Sequence, residues 1–188
     1  PGVAQALRQA ALDMDEIMNA AVEGNYQLNV GFQYPDQSDY TDAGKDTYNL
    51  RNPELAKKYL AQAGYQGEPV VLLTNKDYPS MYNSALVVQQ QLQAVGINAQ
   101  MKVVDWPASV QMMQNTTEGW NLHFTAWGTQ PALGALATMQ FLVQPNATHR
   151  PLNGDDDPDV RAAWNDMNTM PTPEGRKPAQ AAESDDFS

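Results

Sequence analysis

Three short clusters carry residue types able to hold a ligand: Asn75-Lys76-Asp77-Tyr78, Asp105-Trp106 and Trp127-Gly128-Thr129-Gln130. Each sets an aromatic ring beside amide, carboxylate or hydroxyl groups. That mixture suits capture of a small polar solute by stacking and directed hydrogen bonds. Trp127 is the sharpest of these candidates. It breaks the alternation of the segment before it, falling on the side otherwise taken by Asn121, His123 and Thr125. A Trp followed by Gly-Thr at a strand end is better placed to form a wall than to fill a core. Asp105 also has a plainer use, as the cap of a helix starting at Pro107, and Trp106 has one as a core ring.

Signatures of catalysis and of metal binding do not appear in the sequence. There is no Cys, and no Gly-x-Ser-x-Gly elbow for a nucleophile. His123 and His149 lie far apart, without the His-x-x-x-His or Glu-x-x-His spacing of a metal site. The run Asp155-Asp156-Asp157-Pro158-Asp159 lacks the alternating ligands, central Gly and terminal Glu of a calcium loop. It reads as a solvated loop leading into a helix cap. Ala43-Gly44-Lys45-Asp46-Thr47 has Asp39 where a phosphate loop begins with Gly, and no strand precedes it. We expect no catalytic residue, no cofactor and no metal.

The three clusters owe their positions to the elements that precede them. Asn52 caps a helix with Pro53 at its first position, and Leu55, Tyr59, Leu60 and Ala63 form its buried stripe. Residues 69–74 are a continuous apolar run, expected to be a parallel strand covered on both faces. Met81, Ala85, Val88, Leu92 and Val95 recur at helical spacing up to Gly96. Ala99, Met101 and Val103 then alternate with Gln100, Lys102 and Val104 as a second strand. Pro107 opens another helix, with Val110 and Met113 inward, ending at Gly119. Trp120, Leu122, Phe124 and Ala126 alternate as a third strand. Strands alternating with helices make an α/β domain: a parallel-rich sheet flanked by helices. The carboxyl ends of such strands are where ligands bind, and all three clusters fall there.

Before this core, Ala4, Leu7 and Ala11 have helical spacing. Asp13, with Glu16 three residues on, predicts a capping box for a second helix from Met14 to Val22 that stops at Gly24. The expected organisation is a helical lead-in over 1–24, an arm over 25–51, the β-α-β-α-β core over 52–130 and a helical segment over 131–170. Within that last segment, 132–142 should be helical and 145–157 irregular. A helix capped by Asp157 should run from Pro158 to Asn168, burying Val160, Ala163, Trp164 and Met167. The Pro-, Ala- and Asp-rich residues 171–188 should have little order.

Composition narrows the partners. A net charge of −11 repels phosphate backbones, so no nucleic-acid partner is expected. No run approaches the roughly 20 apolar residues of a helical membrane span. The chain opens Pro-Gly-Val-Ala-Gln-Ala-Leu, within what reads as a helix, and we expect it to be a piece of a longer protein.

The wording of the chain carries a further signal. Asn52-Pro53-Glu54, then Ala56-Lys57, Leu60, Ala63-Gly64-Tyr65, a strand, and Gln89-Gln90-Gln91-Leu92 before Gly96-Ile97-Asn98 resemble the C-terminal lobe of the family-5 (peptide/nickel) solute-binding proteins of ABC importers. The stretch Gln5-Ala6-Leu7-Arg8-Gln9-Ala10-Ala11-Leu12-Asp13-Met14-Asp15-Glu16-Ile17 is similar to the helix pair opening that lobe, with Met14 where the family usually has a basic residue. The likeness covers about residues 4–168; Pro171, Pro173 and Pro178 do not fit the long helix the family places next. This resemblance implies one lobe of a type-II periplasmic-binding-protein-like fold, and an extracytoplasmic (periplasmic) protein. It implies a small-molecule or peptide solute, a missing N-terminal lobe of the same protein, and an ABC permease in the membrane. It also assigns Trp127 to the family's ligand-stacking Trp. Gln130 stands where peptide binders carry an Asp for the peptide amino terminus, which favours a neutral or anionic solute. The competing reading is a small doubly wound α/β enzyme or ligand-sensing domain using the same strand-end edge. An enzyme of that type needs a Gly-rich turn after the first strand, and Thr74-Asn75-Lys76-Asp77 has no Gly.

Overall fold

The computed structural model describes residues 3, 6–31, 33–37, 40–115, 118–126 and 158–169. The chain divides into two compact units. One comprises Pro1–Leu28, Thr47–Met112 and Thr116–Ala126; the other comprises Asn29–Asp46, Met113–Asn115 and Trp127–Ser188. Among the described residues no helix is long and apolar enough to cross a membrane.

The first unit is built on a three-stranded parallel sheet in the order β2-β1-β3, with β1 at Val70–Asn75, β2 at Ala99–Val104 and β3 at Leu122–His123. β1 is central and is buried along its length apart from half-buried Val71, as its unbroken apolar run requires. Its register sets Leu72 beside Met101 and Leu122, and Leu73 beside Lys102 and His123. Helix α1 covers Met14–Val22, α2 Pro53–Gln62, α3 Pro79–Ala94 and α4 Trp106–Asn115. From β1 the chain passes through α3 to one neighbour of β1, then back through α4 to the other. Helix α3 packs on both β1 and β2. The main core lies on the α3 side. There Val70, Leu72 and Ala99 meet Val88, Leu92, Val95, Ile97, Ala56, Leu60 and Ile17.

The helices expected in the first unit are present, and their details differ in instructive ways. The first expected turn is a π-helix, Ala6–Ala11, whose wider turn buries Ala6, Leu7 and Ala10 and leaves Ala11 half-buried. Asp13 caps α1 as expected, its Oδ1 accepting the N–H groups of Asp15 at 3.0 Å and Glu16 at 3.2 Å. The reciprocal half of the box is not made. The Asp13 N–H donates to Gln91 Oε1 on α3 at 3.0 Å, while Gln91 Nε2 donates to Glu16 Oε2 at 2.6 Å. One amide that both donates and accepts has replaced a local contact with a bridge between packed helices. In α2, Asn52 Oδ1 accepts the Leu55 N–H at 3.0 Å. The buried residues are Ala56 and Leu60, with Leu55 and Tyr59 half-buried; Ala63 lies just past the helix end and is exposed.

Two strands also depart from expectation. Among the described residues β2 is an edge strand, and the burial of Ala99, Met101 and Val103 fades in that order until Val103 is 41% exposed. β3 is shorter than residues 120–126. The Asn121 and Phe124 N–H groups still pair with the Val71 and Leu73 carbonyls. The Val71 N–H, however, donates to the Asn121 side-chain Oδ1 at 2.7 Å instead of to a ladder carbonyl.

Between α1 and α2 the chain returns to its starting point. The Tyr26 hydroxyl donates to Asp15 Oδ1 at 2.9 Å, and the Arg51 guanidinium donates to Asp15 Oδ2. Asn49 Oδ1 accepts the Met14 N–H at 2.8 Å, and the Asn52 N–H donates to the Ala10 carbonyl at 2.9 Å. Asn49 and Arg51 both take left-handed backbone angles, φ 53° and 50°. Asn tolerates this conformation; Arg51 is held in it by Asp15 and by Asp13, 3.5 Å away.

In the second unit, helix α5 spans Pro158–Thr169 and buries Ala163 and Met167, with Trp164 half-buried. The expectations for residues 132–142, 145–157 and 171–188, including the cap at Asp157, lie outside the described residues, as does the side chain of Val160.

Candidate functional site

The carboxyl ends of β1 and β2 bring two of the three clusters together. Asp77 Oδ2 accepts the backbone N–H of Trp106 at 2.6 Å. The ring of Tyr78 meets that of Trp106 edge to face, with centroids 5.5 Å apart and planes at 81°. Tyr78 is 46% exposed, a high value for a large ring. Its hydroxyl has no hydrogen-bond partner among the described residues.

Asn75 behaves differently from its cluster mates. It is fully buried; its Oδ1 accepts the Tyr78 N–H at 3.0 Å and its Nδ2 donates to Met81 Sδ at 3.3 Å. Both ends of the amide are spent on shaping the turn, so Asn75 sets where Tyr78 stands and does not itself face outward. Lys76 is also engaged, its ammonium 5.0 Å from the Tyr82 ring centroid.

Asp105 does the plainer job its sequence position offers. Its Oδ1 accepts the Ala108 N–H at 2.7 Å, and its carbonyl accepts the Ser109 N–H at 3.0 Å. Ser109, fully buried, donates its hydroxyl to the Trp106 carbonyl at 2.8 Å. The amino end of α4 can therefore be accounted for group by group. Trp106 donates to Asp77, Pro107 has no N–H, Ala108 donates to the Asp105 side chain, and Ser109 donates to the Asp105 backbone. A helix start normally attracts anions through such free N–H groups. This one is closed, and two carboxylates stand over it.

Two further rings link to this pair, which reading the strands singly did not reveal. His123, on β3, stacks on Trp106 with centroids 6.1 Å apart and planes at 17°. Trp120 meets His123 at 6.3 Å and 66°. Tyr78, Trp106, His123 and Trp120 thus form one continuous row. The polar face of the third strand already singled out His123, but stacking across a sheet depends on register, which no local pattern supplies. Trp127, Gly128, Thr129 and Gln130, which follow β3, lie outside the described residues. Among the described residues there is no group of three or more His, Cys, Asp or Glu side chains able to hold a metal.

Comparison with known proteins adds an independent line. The family model for bacterial extracellular solute-binding proteins, family 5 Middle, matches residues 2–148. The "Probable peptide ABC transporter periplasmic-binding protein y4tO" of Sinorhizobium fredii is 32% identical over 78 residues, covering 39% of this chain and 15% of that protein. The oligopeptide-binding protein AppA of Bacillus subtilis is 30% identical over 127 residues, covering 59% of this chain and 23% of its own length. The chain thus spans under a quarter of either curated relative. A solved structure of Bacillus subtilis AppA in complex with a nonapeptide shares the fold, with a TM-score of 0.76 at 20% identity, over 99% of this chain and 39% of that one.

Proposed function

Because the chain belongs to family 5 of the bacterial extracellular solute-binding proteins, we propose that it is one wall of a two-lobed, extracytoplasmic receptor that hands a small solute to an ABC permease. The lobe completing the site is the N-terminal lobe of the same protein. Capture works by hinge closure: a solute bridging both lobes makes contacts in the closed state that the open state lacks, and shifts the equilibrium by that difference. The observation that carries this reading is the pairing of Tyr78 with Trp106 at the carboxyl ends of neighbouring parallel strands, where α/β sheets bind ligands. Trp127, Gly128, Thr129 and Gln130, which follow the third strand in sequence, are proposed as further solute contacts of this receptor.

The names of the relatives speak for peptides. Gln130 speaks for a solute without a free amino group at that point, since a neutral amide gives an ammonium less attraction than a carboxylate does. The test is calorimetry on the complete protein with di- to pentapeptides, oligosaccharides and organic acids. Trp127→Ala should weaken the binding solute by about 1–3 kcal/mol with the fold intact. Gln130→Asp should weaken the native solute and admit free-amine peptides. Equal affinity for this chain alone and for the complete protein would overturn the two-lobe reading, because a shared cleft draws its contacts from both sides.

A further inference from the structure

We infer that Tyr78 is a specificity-determining contact for an uncharged ring of the solute, and that His123 is the positioning residue that keeps Tyr78's support, Trp106, in place. This rests on the solute-capture reading and narrows it to the chemistry of one subsite.

The backbone at Tyr78 and at Trp106 is pinned. The Tyr78 N–H donates to buried Asn75 at 3.0 Å, and the Trp106 N–H donates to Asp77 at 2.6 Å. The side chains are fixed by one another along the row from Tyr78 to Trp120. A ring held this way loses little freedom when a ligand lands on it, so stacking energy goes into affinity. Tyr78 is the exposed end of the row, and it adds a hydroxyl with no partner among the described residues. A flat face beside a donor–acceptor tip fits a ring that carries or neighbours hydroxyl groups.

Charge decides against an anionic group here. The N–H groups that would cradle one at the start of α4 are consumed by Asp77 and Asp105, whose carboxylates stand in its place. The ring can come from a sugar unit or from an aromatic residue of a blocked peptide; both offer an uncharged face.

His123 stacks on Trp106, with planes at 17°, and Trp120 meets the same imidazole at 66°. It touches both indoles. Removing it frees Trp106 to turn into the gap, and Tyr78 then loses its backing.

The test uses the complete protein and four uncharged probes: maltopentaose, cellopentaose, and N-acetylated, C-amidated pentapeptides of alanine with and without a central tyrosine. Tyr78→Ala should weaken ring-bearing probes about ten- to a hundredfold, as loss of one stacking contact does, and leave the all-alanine peptide within about twofold. Tyr78→Phe should keep most of the affinity. His123→Ala should reproduce part of the loss and shift the tryptophan emission, and His123→Phe, which preserves the stack, should restore both. Restoration by Phe separates a stacking role from a general loss of fold. The sugar and peptide arms identify the source of the ring. Ring-bearing probes indifferent to Tyr78→Ala, or binding of the all-alanine peptide alone, would overturn the inference while leaving solute capture standing. Failure of all four probes, with the wider solute panel also silent, would overturn both.

Discussion

Asp77 Oδ2 accepts the backbone N–H of Trp106 at 2.6 Å, so the loop that leaves β1 caps the helix that follows β2. Asp105 caps the same helix from within its own segment, through Ala108. Two elements distant in sequence thereby share one helix start, and the two aromatic residues beside these carboxylates are set in register by the same bonds.

Asp77→Ala should lower stability by about 1 kcal/mol, the usual cost of a lost N-terminal cap. Asp105→Ala should cost a similar amount. Because both bonds serve one helix turn, the double variant should depart from the sum of the singles. Urea midpoints of the four proteins measure this; strict additivity would show that the two carboxylates act independently.

Leu92 is fully buried in the last turn of α3, within the main core. Leu92→Ala should cost about 2–5 kcal/mol, a transfer loss plus a cavity. A melting temperature unchanged by the substitution would mean that the helix presents another face to the sheet.

Gln91 tests the bridge between α1 and α3. Gln91→Glu replaces the donor that meets Glu16 with a second carboxylate and keeps the acceptor for the Asp13 N–H. The variant should lose about 1 kcal/mol at neutral pH through the lost hydrogen bond and a like-charge contact. Acidification should shrink the difference as a carboxyl takes up a proton and becomes a donor. Denaturation of both proteins across the acid range would show it.

Tyr26 should titrate above the ordinary tyrosine range. The dominant cause is the hydrogen bond its hydroxyl donates to Asp15, reinforced by partial desolvation and by the charges of Asp15 and Asp13. A raised folded pKa means that the contact's stabilisation is fully present below the unfolded tyrosine's titration and is lost as pH rises through the folded value. Asp15→Asn should move the Tyr26 titration down in carbon-13 tyrosine NMR. An unmoved titration would place the cause elsewhere.

The order of elements from Asn52 to Val104 is legible in the sequence because each boundary has its own chemical marker. Asn52-Pro53 begins α2, Gly64 follows its end, an unbroken apolar run makes β1, and a regular stripe up to Val95 makes α3. What stayed hidden depends on partners remote in the chain. Asp13 and Glu16 read as a local box, yet Gln91 takes both groups. The spacing of the first apolar residues does not distinguish a π-turn from an α-turn. Asn75 and Tyr78 look alike as strand-end polar residues, and only burial separates the one that shapes the turn from the one that faces out. Asp105 was readable as a cap; that Asp77 caps the same helix was not.

Asp15 holds Tyr26 with one carboxylate oxygen and Arg51 with the other. The stretch between them therefore leaves and re-enters at a single side chain. Closing a loop of this kind costs only about 0.6 kcal/mol more for each doubling of its length, and that cost falls at the neck, away from the β-sheet. Changes of length within residues 29–46 thus leave this neck untouched. Asp15, Tyr26, Asn49 and Arg51 are the four that any such change has to keep.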